Sequence, residues 1–276
     1  VVGRRTTVFK DYLMQDLLMI LSRRVVRVAL SLALGMASHT VHAGVVIDGT
    51  RQIYPEPRRE VTVRVTNDDK HAPRLVQAWL DAGDAQEAPT LSDVPFVLSP
   101  PVFRLDAGKS QSMRLSYTKA PLPTDRESLF WLNVLEVPGA ASEFDPTLED
   151  SQRNHFKFAF RIRTKVFFRP AQLPGTPEEA PGLLRWSVER GAQGSVIQVH
   201  NPSAYHVTFN DIVLLMGSGP EAEKLSLTEG MVEPGGTLKV PVPKAAKVIP
   251  ADARVDFTYI NDFGGFSSAQ PAVLHR

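Results

Sequence analysis

Between residue 44 and the end of the chain, no segment sustains a 3.6-residue apolar spacing with helix caps; short alternating runs broken by turn residues recur instead. That excludes a helical bundle and an α/β layer architecture, and it leaves strands. Val61 to Thr66 sets valines on one face against Thr62, Arg64 and Thr66 on the other. Arg74 to Leu80 is apolar on both faces in places, as a central sandwich strand is. Ser112 to Tyr117 alternates again, and Leu129 to Val137 is a long apolar run ended by Pro138. Asn67 to Asp69, Asp106 to Gly108 and Pro121 to Pro123 supply the turns between them. A second set follows, at 183–188, 195–199, 205–209, 236–240 and 255–260. Strands at this spacing predict an all-β chain built from β-sandwiches.

The segment before residue 44 reads as an address. Arg23, Arg24 and Arg27 precede a short apolar run from Val28 to Met36, and Val41-His42-Ala43 has the small-residue form of a leader cleavage site. The apolar run is far shorter than the ~20 residues of a membrane span. Residues 1–43 are therefore expected to be upstream sequence plus a cleaved signal, with Met19 a plausible start, and the mature chain to begin at Gly44. Six of the 31 basic and two of the 30 acidic residues lie in that leader, which leaves 25 against 28, a net −3. A slightly acidic exported chain is a poor candidate for nucleic-acid binding. It has no cysteine, which excludes disulfides, thiolate metal sites and cysteine nucleophiles.

Residues 169–182 are rich in proline, glycine and glutamate, which suits a boundary. The expected organisation is one sandwich over 44–168, a linker over 169–182 and a second sandwich over 183–276. Enzyme motifs are missing: there is no Gly-x-Ser-x-Gly elbow and no His-Glu-x-x-His, and Gly230 to Thr237 lacks the lysine of a phosphate loop. His200 and His206 flank an Asn-Pro turn, a generic arrangement for a metal.

The most unusual stretch runs from Asn154 to Arg169. Phe156, Phe158, Phe160 and Ile162 fall on one face of a strand, and Lys157, Ala159, Arg161 and Arg163 on the other. One reading is an ordinary amphipathic strand with its phenylalanines in its own core. The other is an edge strand whose stripe serves a partner. Three phenylalanines present ~450–750 Å², above the ~400 Å² that a solitary soluble surface tolerates. Covering them is worth on the order of 10–15 kcal/mol gross, much of it consumed by association entropy.

Arg51, Gln77-Ala-Trp79, Pro100 to Asp106, Asp125 to Trp131, Lys165 to Pro170, Asn201-Pro202 with Tyr205, and Tyr259 to Gly265 span nearly the whole mature chain. In this order they resemble the periplasmic chaperones of the chaperone–usher pathway, the PapD-like family. The resemblance implies two immunoglobulin-like β-sandwich domains at an angle with an interdomain cleft. It implies capture of pilus subunits by a lent strand (donor-strand complementation), delivery to an outer-membrane usher, location in the periplasm, and no cofactor or catalysis. It assigns Arg51 and Lys165 to the subunit's C-terminal carboxylate, and Phe156, Phe158, Phe160 and Ile162 to the lent strand. Glu127, Arg169 and Asp262 match a charged set that joins the domains. The family commonly has large aliphatic residues where this chain has phenylalanines, which implies wide pockets in its subunit. Arg161 and Arg163 share the parity of Lys165 and are expected to be solvated. The acidic connection from Pro138 to His155 is long, yet the disulfide of long-loop members is absent. An uncovered stripe would drive self-association of the unloaded protein. The rival reading is a secreted β-sandwich adhesin or carbohydrate-binding module.

Overall fold

The computed structural model describes residues 44–86, 93–138, 158–191, 194–217, 222–243 and 249–275. The expected leader and Phe156 lie outside the described residues. The N-terminal half holds β1 (Val45–Ile47), β2 (Arg51–Pro55), β3 (Val61–Asn67), β4 (Arg74–Asp81), β5 (Phe96–Ser99), β6 (Val102–Leu105), β7 (Ser110–Tyr117), β8 (Ser128–Pro138) and β9 (Phe160–Arg169). They form two sheets, ordered β1-β3-β7-β5 and β2-β9-β8-β4-β6. Neighbours are antiparallel except β2 and β9, which run parallel.

The alternation in the sequence sets which side chains close the gap between these sheets. In β3, Val63 and Val65 are buried while Thr62 and Arg64 face solvent. They meet Val76, Leu132, Val134 and Val166 from the other sheet in one core. Tyr54, fully buried, ties the sheets together: its hydroxyl accepts the Tyr117 N–H at 3.1 Å and faces the carbonyls of Arg58 and Arg59 at 3.1 and 3.0 Å. A buried phenol needs such partners to offset its lost hydration.

The C-terminal half holds β10 (Arg185–Gly191), β11 (Gly194–His200), β12 (Val207–Met216), β13 (Glu223–Ser226), β14 (Met231–Val232), β15 (Thr237–Pro241), β16 (Arg254–Ile260), β17 (Phe266–Ser268) and β18 (Ala272–Val273). One sheet is β10-β11-β15; the other is β13-β12-β16-β17, with β14 on β12 and β18 on β16. Their core centres on Trp186, Phe209 and Phe257, whose rings lie 5.2–5.6 Å apart. The strand expected at 205–209 begins only at Val207, because Asn201 holds the preceding residues in a turn. Its amide donates to the Tyr205 carbonyl at 2.7 Å, and its Oδ1 accepts from Ser203.

The described residues form two immunoglobulin-like β-sandwiches, with no α-helix among them. Between them, Thr176 and Glu179 exchange side-chain-to-backbone bonds, at 3.0 and 3.3 Å, just before the short 3-10 turn Ala180–Leu183. Among the described residues no helix is long and apolar enough to cross a membrane.

Candidate functional site

Strand β9 has two unlike halves. From Lys165 to Arg169 it is enclosed, with β2 on one side and β8 on the other. From Phe160 to Thr164 it pairs only with β8 among the described residues. That leaves an open edge of five residues, roughly 16 Å long, with unpaired backbone groups. The even-numbered side chains of β9 point into the N-terminal core: Phe168, Val166 and Thr164 are buried and Ile162 is half-buried. The same face continues past the core's end, where Phe160 and Phe158 are 59 % and 64 % exposed with ring centroids 6.4 Å apart. Both halves of the phenylalanine question thus meet in one strand: its aliphatic end fills its own core and its aromatic end overruns it.

At the point where the open edge stops, β2 begins. Arg51 and Lys165 are directly paired across the parallel ladder. Arg51 is buried; its Nη1 donates to the Ile260 carbonyl at 2.9 Å, and its guanidinium lies 5.4 Å from the Phe167 ring centroid. Its Nε is buried with no hydrogen-bond partner among the described residues. Burial lowers the Arg51 pKa, against the opposing pull of Asp262 and Glu127. Lys165 is half-buried, 5.2 Å from the Trp131 ring centroid, and has no ion pair among the described residues. Burial and then the neighbouring Arg51 charge push its pKa down. Two cations at adjacent positions, both partly stripped of water, form a site that an anion would relieve.

The other face of β9 is not the solvated row that the sequence suggests. Arg163 donates to both oxygens of Asp81, a carboxylate with no exposed surface. Arg161 grips the Asn133 Oδ1 at 2.9 and 2.7 Å and the Ala85 carbonyl at 2.6 Å, and its Nη2 is 3.6 Å from Asp81. Asn133, also fully buried, donates to Asp81 at 2.6 Å. The guanidiniums lie over Trp79 and Trp131, at 4.8 and 4.3 Å from the ring centroids. This network of Asp81, Asn133 and the two tryptophans was missed in the sequence. A clue existed: Asn133 interrupts an apolar strand, and a buried amide demands partners. What pairs it is set by strand neighbours far away in the chain.

Arg169, Glu127 and Asp262 come together between the sandwiches. Arg169 bridges Glu127 at 2.7 Å and Asp262 at 2.6 Å. Burial would lower the Arg169 pKa, but bonds to Asp262 and the two carboxylate charges raise it well above the ordinary arginine value. Glu127 also accepts the His206 N–H at 2.8 Å, and its own N–H donates to the Ala204 carbonyl at 2.9 Å. His206, considered above only as a metal ligand, sits with its Nδ1 3.2 Å from Glu127. Among the described residues no group of three metal-ligating side chains occurs. The hairpin between β16 and β17 closes on Thr50, next to Arg51: a Cβ at Gly264, where φ is +80°, would lie 2.5 Å from the Thr50 Oγ1. The crevice lined by Arg51, His206, Tyr259 and Asp262 is small, about 30 Å³. A wider groove of about 640 Å³ lies in the C-terminal sandwich, beside Trp186 and Val273, and includes neither cation.

Two family models cover this architecture. The "Pili and flagellar-assembly chaperone, PapD N-terminal domain" matches residues 44–174, and the "Pili assembly chaperone PapD, C-terminal domain" matches residues 179–271. The chain belongs to the PapD-like family of pilus-assembly chaperones. The probable fimbrial chaperone YadV of Escherichia coli is 39 % identical over 238 residues, which are 81 % of this chain and 87 % of that protein. The chaperone protein FimB/FhaD of Bordetella pertussis is 36 % identical over 235 residues, 84 % of this chain and 88 % of that one. Among solved structures, the CupB2 chaperone of Pseudomonas aeruginosa has a TM-score of 0.67 at 36 % identity, covering 83 % of this chain and all of that one. A Salmonella enterica complex of the SafA pilin with its SafB chaperone has a TM-score of 0.64 at 27 % identity, covering 85 % and 97 %. These matches favour a pilus chaperone over an adhesin or carbohydrate-binding module.

Proposed function

We propose that this protein works in the periplasm by lending the open half of β9 to a pilus subunit and handing the loaded subunit to an outer-membrane usher, with no catalytic step. The observation that carries the mechanism is the coincidence of an open strand edge with a cation pair at its end. A strand added along Phe160 to Thr164 lies in line with β2 and runs parallel to β9. Its C-terminus then arrives at Arg51 and Lys165, and a terminal carboxylate there forms charge-assisted bonds with both. The same carboxylate supplies the anion that the two partly buried cations lack.

Phe158, Phe160 and Ile162, with Phe156 beyond them, fill the subunit's groove in this reading. Two phenylalanines of 150–250 Å² each, about 60 % exposed, give a gross gain of roughly 5–7 kcal/mol on full coverage. The cation pair fixes register, because a one-residue slip would present Arg161 in place of Phe160. Arg169, with Glu127 and Asp262, holds the two sandwiches in the relation that brings Ile260 to Arg51. Such a network sets orientation more surely than it adds stability. The working domains are 44–168 and 183–276, joined through 169–182, after removal of a leader at 1–43.

Co-expression with a pilus subunit tests this. Arg51→Ala or Lys165→Ala should abolish co-purification of the subunit while leaving the chaperone folded by circular dichroism. Phe158→Asp should block capture at the strand. Unchanged subunit recovery with either cation removed would refute the carboxylate anchor. Unchanged periplasmic subunit yield with Phe158→Asp would refute the stripe.

A further inference from the structure

Glu136 is a buried carboxylate with no cation paired to it among the described residues. It lies near the end of β8, 4 % exposed, on the inward face that also carries Val134 and Leu132. Its neighbours across the sheet are Val76 on β4 and Phe160 on β9, both uncharged. From the opposite sheet it accepts the backbone N–H of Val45. No lysine, arginine or histidine pairs with it among the described residues. On the same side, the Asp68 N–H donates to the Gly44 carbonyl at 3.0 Å. A lone carboxylate in such a place is costly, since a single amide donor replaces little of its hydration.

What approaches it closely is Gly44. A Cβ at Gly44 would overlap both carboxylate oxygens of Glu136. Backbone N and Cβ are about 2.5 Å apart, so the Gly44 nitrogen lies within about 5 Å of the carboxylate. Gly44 also follows the leader cleavage pattern Val41-His42-Ala43. Hydrolysis of the Ala43–Gly44 bond consumes one water, leaves a carboxylate on the departing leader, and turns the Gly44 amide nitrogen into an ammonium at neutral pH.

We propose that Glu136 is a binding site for the chain's own new α-ammonium, filled only when the leader has been removed at Gly44. The ion pair joins β1 of one sheet to β8 of the other, beside Phe160, where β9 leaves the core. Processing thereby finishes the end of the sandwich from which the phenylalanines emerge. The site takes a primary ammonium, and Gly44 brings it beside the Glu136 carboxylate with no Cβ in between.

The protein purified from the periplasm after natural processing provides the test. Its intact mass and N-terminal sequence should begin at Gly44; a different terminus overturns the proposal. The rate at which an amine-selective acylating reagent labels the terminus should be read against pH for the wild type and Glu136→Gln. Glutamine keeps one acceptor for the Val45 N–H and removes the charge. The wild-type amine should titrate above the ordinary α-amino range of about 7.7–8.0, and its labelling at pH 7.5 should be about tenfold slower than in Glu136→Gln. Equal rates in the two proteins overturn the proposal. If Glu136→Gln does not fold, a wild-type chain processed with one extra alanine before Gly44 serves instead. Its displaced ammonium should label at the rate of an unstructured peptide, and labelling as slow as the wild type refutes the pairing.

Discussion

Replacing Asp81 with asparagine tests the outer-face network that holds β9 in register. Asp81 has no exposed surface, and it receives Arg163 through both oxygens, the Asn133 amide at 2.6 Å and the Gly83 N–H at 2.8 Å. Asparagine removes the charge and turns one of the two acceptors into a donor that faces other donors. Removing one partner of a buried pair costs about 3–5 kcal/mol. The Arg161 and Arg163 side chains keep 30 % and 22 % of their exposure, so water can reach the stranded guanidiniums. The expected loss is therefore about 3 kcal/mol, a fall in Tm of roughly 6–12 °C. Burial alone would raise the Asp81 pKa, but the hydrogen bonds from Arg163, Asn133 and Gly83 and the Arg163 charge hold it below the ordinary value. The sign follows from that depression. The contribution is complete above the unfolded carboxyl pKa of about 3.9 and disappears as pH falls through the lower folded value. Thermal unfolding of both proteins at pH 7 and in acid should show a gap that narrows as the acid becomes stronger. A negligible gap at pH 7, or one of constant size down to pH 2, would refute the reasoning.

Other outcomes follow from the same geometry. Gly264→Ala places a methyl against Thr50 in a left-handed backbone and should cost about 1–2 kcal/mol; subunit capture should fall with it, and intact capture would show that Arg51 is positioned without the hairpin. Lys165 is held down by burial and by Arg51, so a bound carboxylate should move its titration upward in NMR spectra of the loaded protein. Subunit affinity should correspondingly weaken as pH rises through the free-state Lys165 pKa, and a pH-independent affinity up to pH 10 would contradict the anchor. Arg169→Ala should change the small-angle scattering profile while both sandwiches stay folded; an identical profile means the bridge does not set their orientation. The unloaded protein should self-associate at high concentration, and Phe160→Ser should reduce this in sedimentation velocity runs.

The strands were legible where one face is dry and the other wet. Val61 to Thr66 is such a case, and it forms the middle of a sheet between β1 and β7. Even the boundary with its proline and glutamate was readable, although its bonded Thr176–Glu179 pair makes it more ordered than a linker. The charged groups were less legible. Arg161 and Arg163 look like a solvated face until β4 and β8 are laid beside β9, because their partner Asp81 is about 80 residues away. Glu136 looks like the polar end of a strand until Val45 arrives from the other sheet, 91 residues earlier. Periodicity reports which face a residue occupies and nothing of what covers that face.

The parallel pairing of β2 with β9 also has a kinetic side. Thr50 and Thr164, joined at 3.0 Å, are 114 residues apart in the chain, and such non-local closure is slow to form. A chain emerging N-terminus first carries Arg51 early and Lys165 late. The cation pair, and the vacant slot that ends at it, come into being only when nearly the whole first sandwich has been delivered and folded. An adhesive edge made last spends the least time exposed beside other unfinished chains, where strand edges are most prone to mispair. The long return of the chain thus works as a timing device, delaying stickiness until there is a scaffold able to control it.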